Sequence, residues 1–225
     1  MHNAEVSLLL SSNLGDRLAT AIGFFGFDSL MELVGFAIAI AVAFQAMKGY
    51  TLSKERTLLY LNFSFILLGA GLLVEGLANL VVLFSGFHRG GFLFLSRVGY
   101  TINFFAEVLA FGILIFAYLQ QTRAWSMQLA AMAAIPIMFV ERNAFTELIL
   151  IFLLVYIAAQ TAINYSISKT TNALLVFSAF TSLVIAHVFF LLFTVSPIFF
   201  PFAHILQLFG FLLLLAMLFR VNQAR

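Results

Sequence analysis

Cysteine is absent from the 225 residues, which excludes disulfides, thiolate metal sites and cysteine nucleophiles. Charge is scarce as well. Asp, Glu, Lys and Arg together make up 9% of the chain, where a soluble domain carries about 25%. The net charge of +2 gives no basis for nucleic-acid binding, although the pI lies near 9.1. Gly-x-Ser-x-Gly elbows, phosphate loops and His-Glu-x-x-His motifs are missing, and no catalytic residue is assigned. No separable signal peptide is expected in residues 1–20, which lack a basic stretch followed by a clean apolar run. What is abundant is apolar surface: 64% of residues are hydrophobic and the mean hydropathy is +1.11. A soluble globule of this size still needs a polar exterior. Lipid is therefore the solvent for most of this one.

Apolar runs long enough to cross a ~30 Å hydrocarbon core, about 20 residues each, fall near 28–48, 57–84, 98–119, 124–141, 145–164, 171–194 and 200–220. The expectation is an all-α polytopic bundle of seven transmembrane helices. Residues 1–27 precede it as an N-terminal segment that suits a short interfacial helix. The fourth run is short and contains Pro136; the other two prolines, Pro197 and Pro201, mark a tight turn between the last two runs. With seven crossings, Lys48, Lys54, Arg56, Arg123, Lys169, Arg220 and Arg225 collect on one side. Arg17, Arg89, Arg97 and Arg142 collect on the other. The positive-inside rule then puts the N-terminus outside and the C-terminus in the cytoplasm.

Two strings 115 positions apart nearly coincide: Tyr50-Thr51-Leu52-Ser53-Lys54 and Tyr165-Ser166-Ile167-Ser168-Lys169. The same offset sets Glu32 over Glu147 and Gln45 over Gln160. Glu107 and Gln120 share the thirteen-residue spacing of those pairs, and Gln207 with Arg220 matches it more loosely. Recurrence of polar residues at matched depths predicts an internal duplication. Residues 28–119 and 145–225 form two parallel three-helix repeats, and 120–144 is the linker helix, an arrangement of 3+1+3. Parallel repeats about an axis along the membrane normal are a transporter architecture. The span count and sidedness resemble those of microbial rhodopsins and SWEET-type carriers in architecture alone. The last run has no lysine for a retinal Schiff base.

The glutamates and histidines of the runs all fall in the outer half. Gln45, Gln120 and Gln160 lie roughly 20 Å further in, at ~1.5 Å per residue. Charged groups at such depth cost about 2.5–3.5 kcal/mol each on insertion scales and face a bundle interior or a wet cavity. Glu32 and Glu147 have two readings, headgroup anchors or interior groups. Glu75 and Glu107 lie deeper and suit a buried polar network with Arg97, Asn79 and Asn103. His187 and His204 flank the last outer turn and are the candidate metal ligands, for a transition metal or, with more space, haem b. Glu75, Glu107, His187 and His204 are expected to face one outward-opening cavity with Asn103. Gly35, Gly69 and Gly71 suit close helix approach. Three functions fit: a transporter or sensor handling a small ligand or ion, a metal- or haem-binding redox protein, or a structural subunit of a membrane complex or homo-oligomer.

Overall fold

The computed structural model describes residues 2–84, 91–122 and 144–223, with side chains over 25–84, 94–120 and 144–223. These residues form six α-helices: α1 (His2–Ser53), α2 (Arg56–Phe84), α3 (Gly91–Thr122), α4 (Ala144–Ser168), α5 (Thr171–Leu192) and α6 (Phe199–Gln223). Each contains a segment long and apolar enough to cross a membrane, beginning at Phe25 in α1 and at Phe94 in α3. The protein is an integral, multi-pass membrane protein. The run at 124–141 lies outside the described residues; α3 runs on past residue 120 to Thr122, and α4 begins at Ala144. α1 continues without a break across the 27/28 boundary.

The helices close into a ring in chain order, each packing on its neighbours and α6 returning to α1. Cross-helix bonds fix the directions. α1 and α6 meet twice, at Asp28 with His204 and at Gln45 with Asn222, so they run parallel. α2 opposes α1 through Asn79–Asp28 and Asn62–Ala43, and it opposes α3 through Asn103–Glu75 and Tyr60–Gln120. α5 opposes α6 through Ser182–Leu206 and the Phe190–Phe200 ring contact. It opposes α4 through His187–Glu147 and Tyr165–Phe177. Thus α1, α3, α4 and α6 run one way and α2 and α5 the other. One end of the bundle holds Asp28, Glu75, Glu107, Glu147 and both span histidines. The opposite end holds Lys48, Lys54, Arg56, Lys169 and Arg220.

Large apolar side chains divide between core and lipid. Phe65, Phe104, Phe111, Phe200 and Phe211 are buried, whereas Phe44 and Phe152 are exposed on the outer surface, where a bilayer solvates them. Two glycines set the tightest approach. A Cβ on Gly71 of α2 would stand 2.5 Å from Asn103 Oδ1 and 2.7 Å from Ala106 Cβ; one on Gly99 of α3 would stand 2.7 Å from Ala78 Cβ. Gly69, in contrast, faces the flexible end of Ile40 on α1 at 3.1 Å.

α1 and α4 end alike. Lys54 and Lys169 adopt φ of 59° and 52°, the left-handed conformation that terminates a helix. Their N–H groups donate to Tyr50 O and Tyr165 O, and each ammonium lies over the ring of that same tyrosine, at 5.7 Å and 5.3 Å. Thr170 then caps α5, its hydroxyl accepting from Ala173 N–H, which satisfies one orphan donor of the new helix.

Two outcomes check this arrangement. Gly71→Ala forces α2 from α3 and costs about 1–3 kcal/mol, the usual cost of overpacking, whereas Gly69→Ala costs less; thermal unfolding in detergent measures both. Because the chain has no cysteine, Lys54→Cys and Lys169→Cys can be labelled singly with an impermeant maleimide. Both react from the same side of the membrane; labelling from opposite sides breaks the parallel assignment of α1 and α4.

Candidate functional site

Helical periodicity puts the polar residues of each helix on one face, because positions three, four and seven apart share a stripe. α1 presents Asp28 and Glu32; α2, Glu75 and Asn79; α3, Tyr100, Asn103 and Glu107. α5 presents His187 with Phe190, and α6 His204 with Gln207. Thr146 and Glu147 come from the first turn of α4. Every one of these polar side chains belongs to a buried residue. Glu32 and Glu147 are each 2% exposed, so they belong to the bundle interior and not to the headgroup layer. Arg97, expected as a partner, is exposed.

A cavity of about 10 Å³ lies at the centre, enough for about one water molecule. α1 contributes Glu32; α3 contributes Tyr100, Asn103 and Glu107; α4 contributes Glu147; His187, Phe190 and Gln207 complete the lining. The four residues that the thirteen-residue spacing matched, Glu32, Glu107, Glu147 and Gln207, all reach it, one from each of the four parallel helices.

Around this cavity the hydrogen bonds form two arms. Asn103 Nδ2 donates to Glu75 Oε2 at 2.8 Å, and Tyr100 and Thr146 join their hydroxyls at 2.8 Å between α3 and α4. His187 Nδ1 lies 3.0 Å from Glu147 Oε2. On the other side His204 Nε2 lies 3.0 Å from Asp28 Oδ1, Asn79 Nδ2 donates to Asp28 Oδ2 at 2.8 Å, and Ser96 donates to Asn79 Oδ1 at 2.8 Å. Single ligand atoms of Asp28, Glu32 and His204 all lie within 4.8 Å of one another. Glu32 thus lines the cavity and also lies beside the Asp28–His204 pair.

Of the expected site residues, Glu32, Asn103, Glu107, Glu147 and His187 line the cavity itself. Glu75 joins through Asn103. His204 stands on the Asp28 side. Each histidine is engaged by a carboxylate of its own, and the Phe190 ring packs against both imidazoles, at 5.7 Å and 4.9 Å. The sequence reading gave no site role to Asp28, the first residue of its first apolar run. The available signal was its position four residues before Glu32, on the same face of α1. It also gave no role in the site to Tyr100 or Thr146, whose hydroxyls look unremarkable until α3 and α4 are known to touch.

Electrostatically the site is lopsided. Asp28, Glu32, Glu75, Glu107 and Glu147 are buried beside two imidazoles, and among the described residues no Lys or Arg is buried. The remaining polar partners, Asn, Gln, Tyr, Ser and Thr, donate hydrogen bonds without adding charge. Even with both imidazoles protonated, five ionised carboxylates would leave a net negative charge in a medium that pays dearly for it.

No protein-family model, curated protein or solved structure matches the chain.

The His187–Glu147 pair carries its own test. A double-mutant cycle with Glu147→Ala and His187→Ala, read by thermal unfolding, gives a coupling of about 0.5–3 kcal/mol. Simple additivity of the two losses would mean that the side chains do not interact.

Proposed function

We propose that the protein is a cation-handling membrane protein, of transporter or sensor type, that binds and releases protons or metal cations in the acidic array at one end of its bundle. The observation that carries this reading is the charge imbalance: five buried carboxylates, two imidazoles, and no buried Lys or Arg among the described residues. A purely structural network in lipid is best served by neutral groups or by balanced ion pairs. An excess of carboxylates is the composition of a site that completes itself with a cation.

The parallel duplication supports transport in particular. Exchanging α1, α2 and α3 for α4, α5 and α6 carries every packed pair of the ring into another packed pair. The Tyr–Lys helix ends coincide under the same exchange. The matched acidic positions and Gln207 converge on one cavity, as a pseudo-two-fold axis along the membrane normal would require. Parallel α3 and α4 also demand that the chain between Thr122 and Ala144 return from one end of the bundle to the other. A seventh crossing in that segment meets this demand and yields the 3+1+3 plan. The Lys- and Arg-bearing end then faces the cytoplasm by the positive-inside rule, and the acidic array lies toward the outside with the N-terminus.

Reconstitution into liposomes tests the reading. Purified protein dissipates an imposed proton or divalent-cation gradient, and Glu107→Gln and Glu147→Gln lower the rate by about tenfold or more, the scale on which cation sites respond to lost support, while unfolding temperatures show an intact bundle. If no gradient decays, and neither protons nor cations shift the unfolding of the intact protein, the array is structural and the protein serves as a scaffold.

A further inference from the structure

We infer that Asp28, Glu32 and His204 form a site for one divalent first-row transition-metal ion. The inference rests on the cation-handling reading and deepens it by naming the ion class and its ligands. Two carboxylates and one imidazole present ligand atoms within 4.8 Å of one another, all three residues buried. Tetrahedral donors at bond lengths of ~2.0–2.1 Å stand about 3.3 Å apart. His204 Nε2 and Asp28 Oδ1, at 3.0 Å, already have that separation. No pair exceeds 4.8 Å, so closure by at most about 1.5 Å brings the three donors to that spacing.

The surroundings are built as metal ligands require. A ligating carboxylate needs its second oxygen held by an outer partner; Asn79 does this to Asp28 Oδ2 and is itself fixed by Ser96. The imidazole of His204 is oriented by aromatic edges, with Phe27, Phe190 and Phe200 at centroid distances of 5.9, 4.9 and 4.6 Å. Those rings also keep the site dry. Three protein ligands leave a coordination position open for water or a transported partner. The donor set selects the ion. One nitrogen with carboxylate oxygens suits Zn²⁺, Mn²⁺ or Fe²⁺, whereas Ca²⁺ and Mg²⁺ prefer oxygen alone and copper(I) prefers the sulfur that this site lacks.

The test uses the full chain in detergent, stripped with a chelator and titrated with Zn²⁺ or Mn²⁺ alone, with bound metal read by elemental analysis and Mn²⁺ also by electron paramagnetic resonance. One ion per chain binds and Mg²⁺ does not compete. Asp28→Asn and His204→Gln, whose folding is checked by circular dichroism and unfolding temperature, abolish that ion. Asn79→Ala touches no proposed ligand atom on the metal and weakens binding about 10–100-fold. Stoichiometry unchanged in Asp28→Asn and His204→Gln overturns the site, as does failure of the intact protein to bind either metal. Proton flux through liposomes without metal binding would sink this inference alone and leave the cation-handling reading standing; absence of both sinks the two together.

Discussion

Lipid offers a carboxylate nothing, and five acidic side chains in this bundle have been taken out of water with no buried Lys or Arg among the described residues to balance them. That constraint organises the rest. Polar groups must sit on the interior stripe of their helix, so they recur at spacings of three, four or seven, as in Asp28/Glu32, Glu75/Asn79 and Tyr100/Asn103/Glu107. Neighbouring helices must come close enough to give them donors, which is why Gly71 of α2 lies against Asn103 and Ala106 and Gly99 of α3 lies against Glu75 and Ala78. The donors themselves are neutral. Asn79 serves Asp28, Asn103 serves Glu75, and the Tyr100–Thr146 bond ties α3 to α4 at the same level.

The two ends of the molecule are solved differently. Away from the acidic array the interior polar groups are amides and hydroxyls: Asn62 bonds the Ala43 carbonyl, Asn222 bonds Gln45 and Tyr60 bonds Gln120. None of these adds a carboxylate or an imidazole. Basic residues appear there at or near helix ends, and Lys54 and Lys169 sit at the negative ends of α1 and α4, where the helix dipole favours a cation. Packing a lysine ammonium over the tyrosine one turn earlier adds a cation–π contact and offsets the left-handed backbone that the cap requires. The bundle is therefore neutral through one half, acidic in the other, and positive at the far rim.

Much of this was legible in the residues. Hydropathy alone located the six described helices, and the thirteen-residue spacing singled out Glu32, Glu107, Glu147 and Gln207 before any geometry was known. Their convergence on one cavity is a consequence of helix direction: equal depth on parallel helices brings equivalent positions to one level. What the residues could not disclose was rotation. Depth along an axis follows from counting, but which face looks inward depends on neighbours. Glu32 and Glu147 therefore read equally well as headgroup anchors. For the same reason His187 and His204, adjacent in topology and similar in depth, read as one ligand pair, yet each turns toward a different carboxylate. Asp28 opens the first apolar run, where a charge reads as an edge group. Its contacts with Asn79 of α2 and His204 of α6 place it inside the bundle.

Glu32 is the joint between the two halves of the site. It lines the cavity with Glu107, Glu147 and His187, and its ligand atom also falls within the Asp28–His204 group. Charge taken up on one side is therefore felt on the other across a single side chain, in a region where little water screens it. The proposed cation at Asp28, Glu32 and His204 would therefore be coupled to the charge of the cavity through Glu32, and linkage makes any such coupling reciprocal.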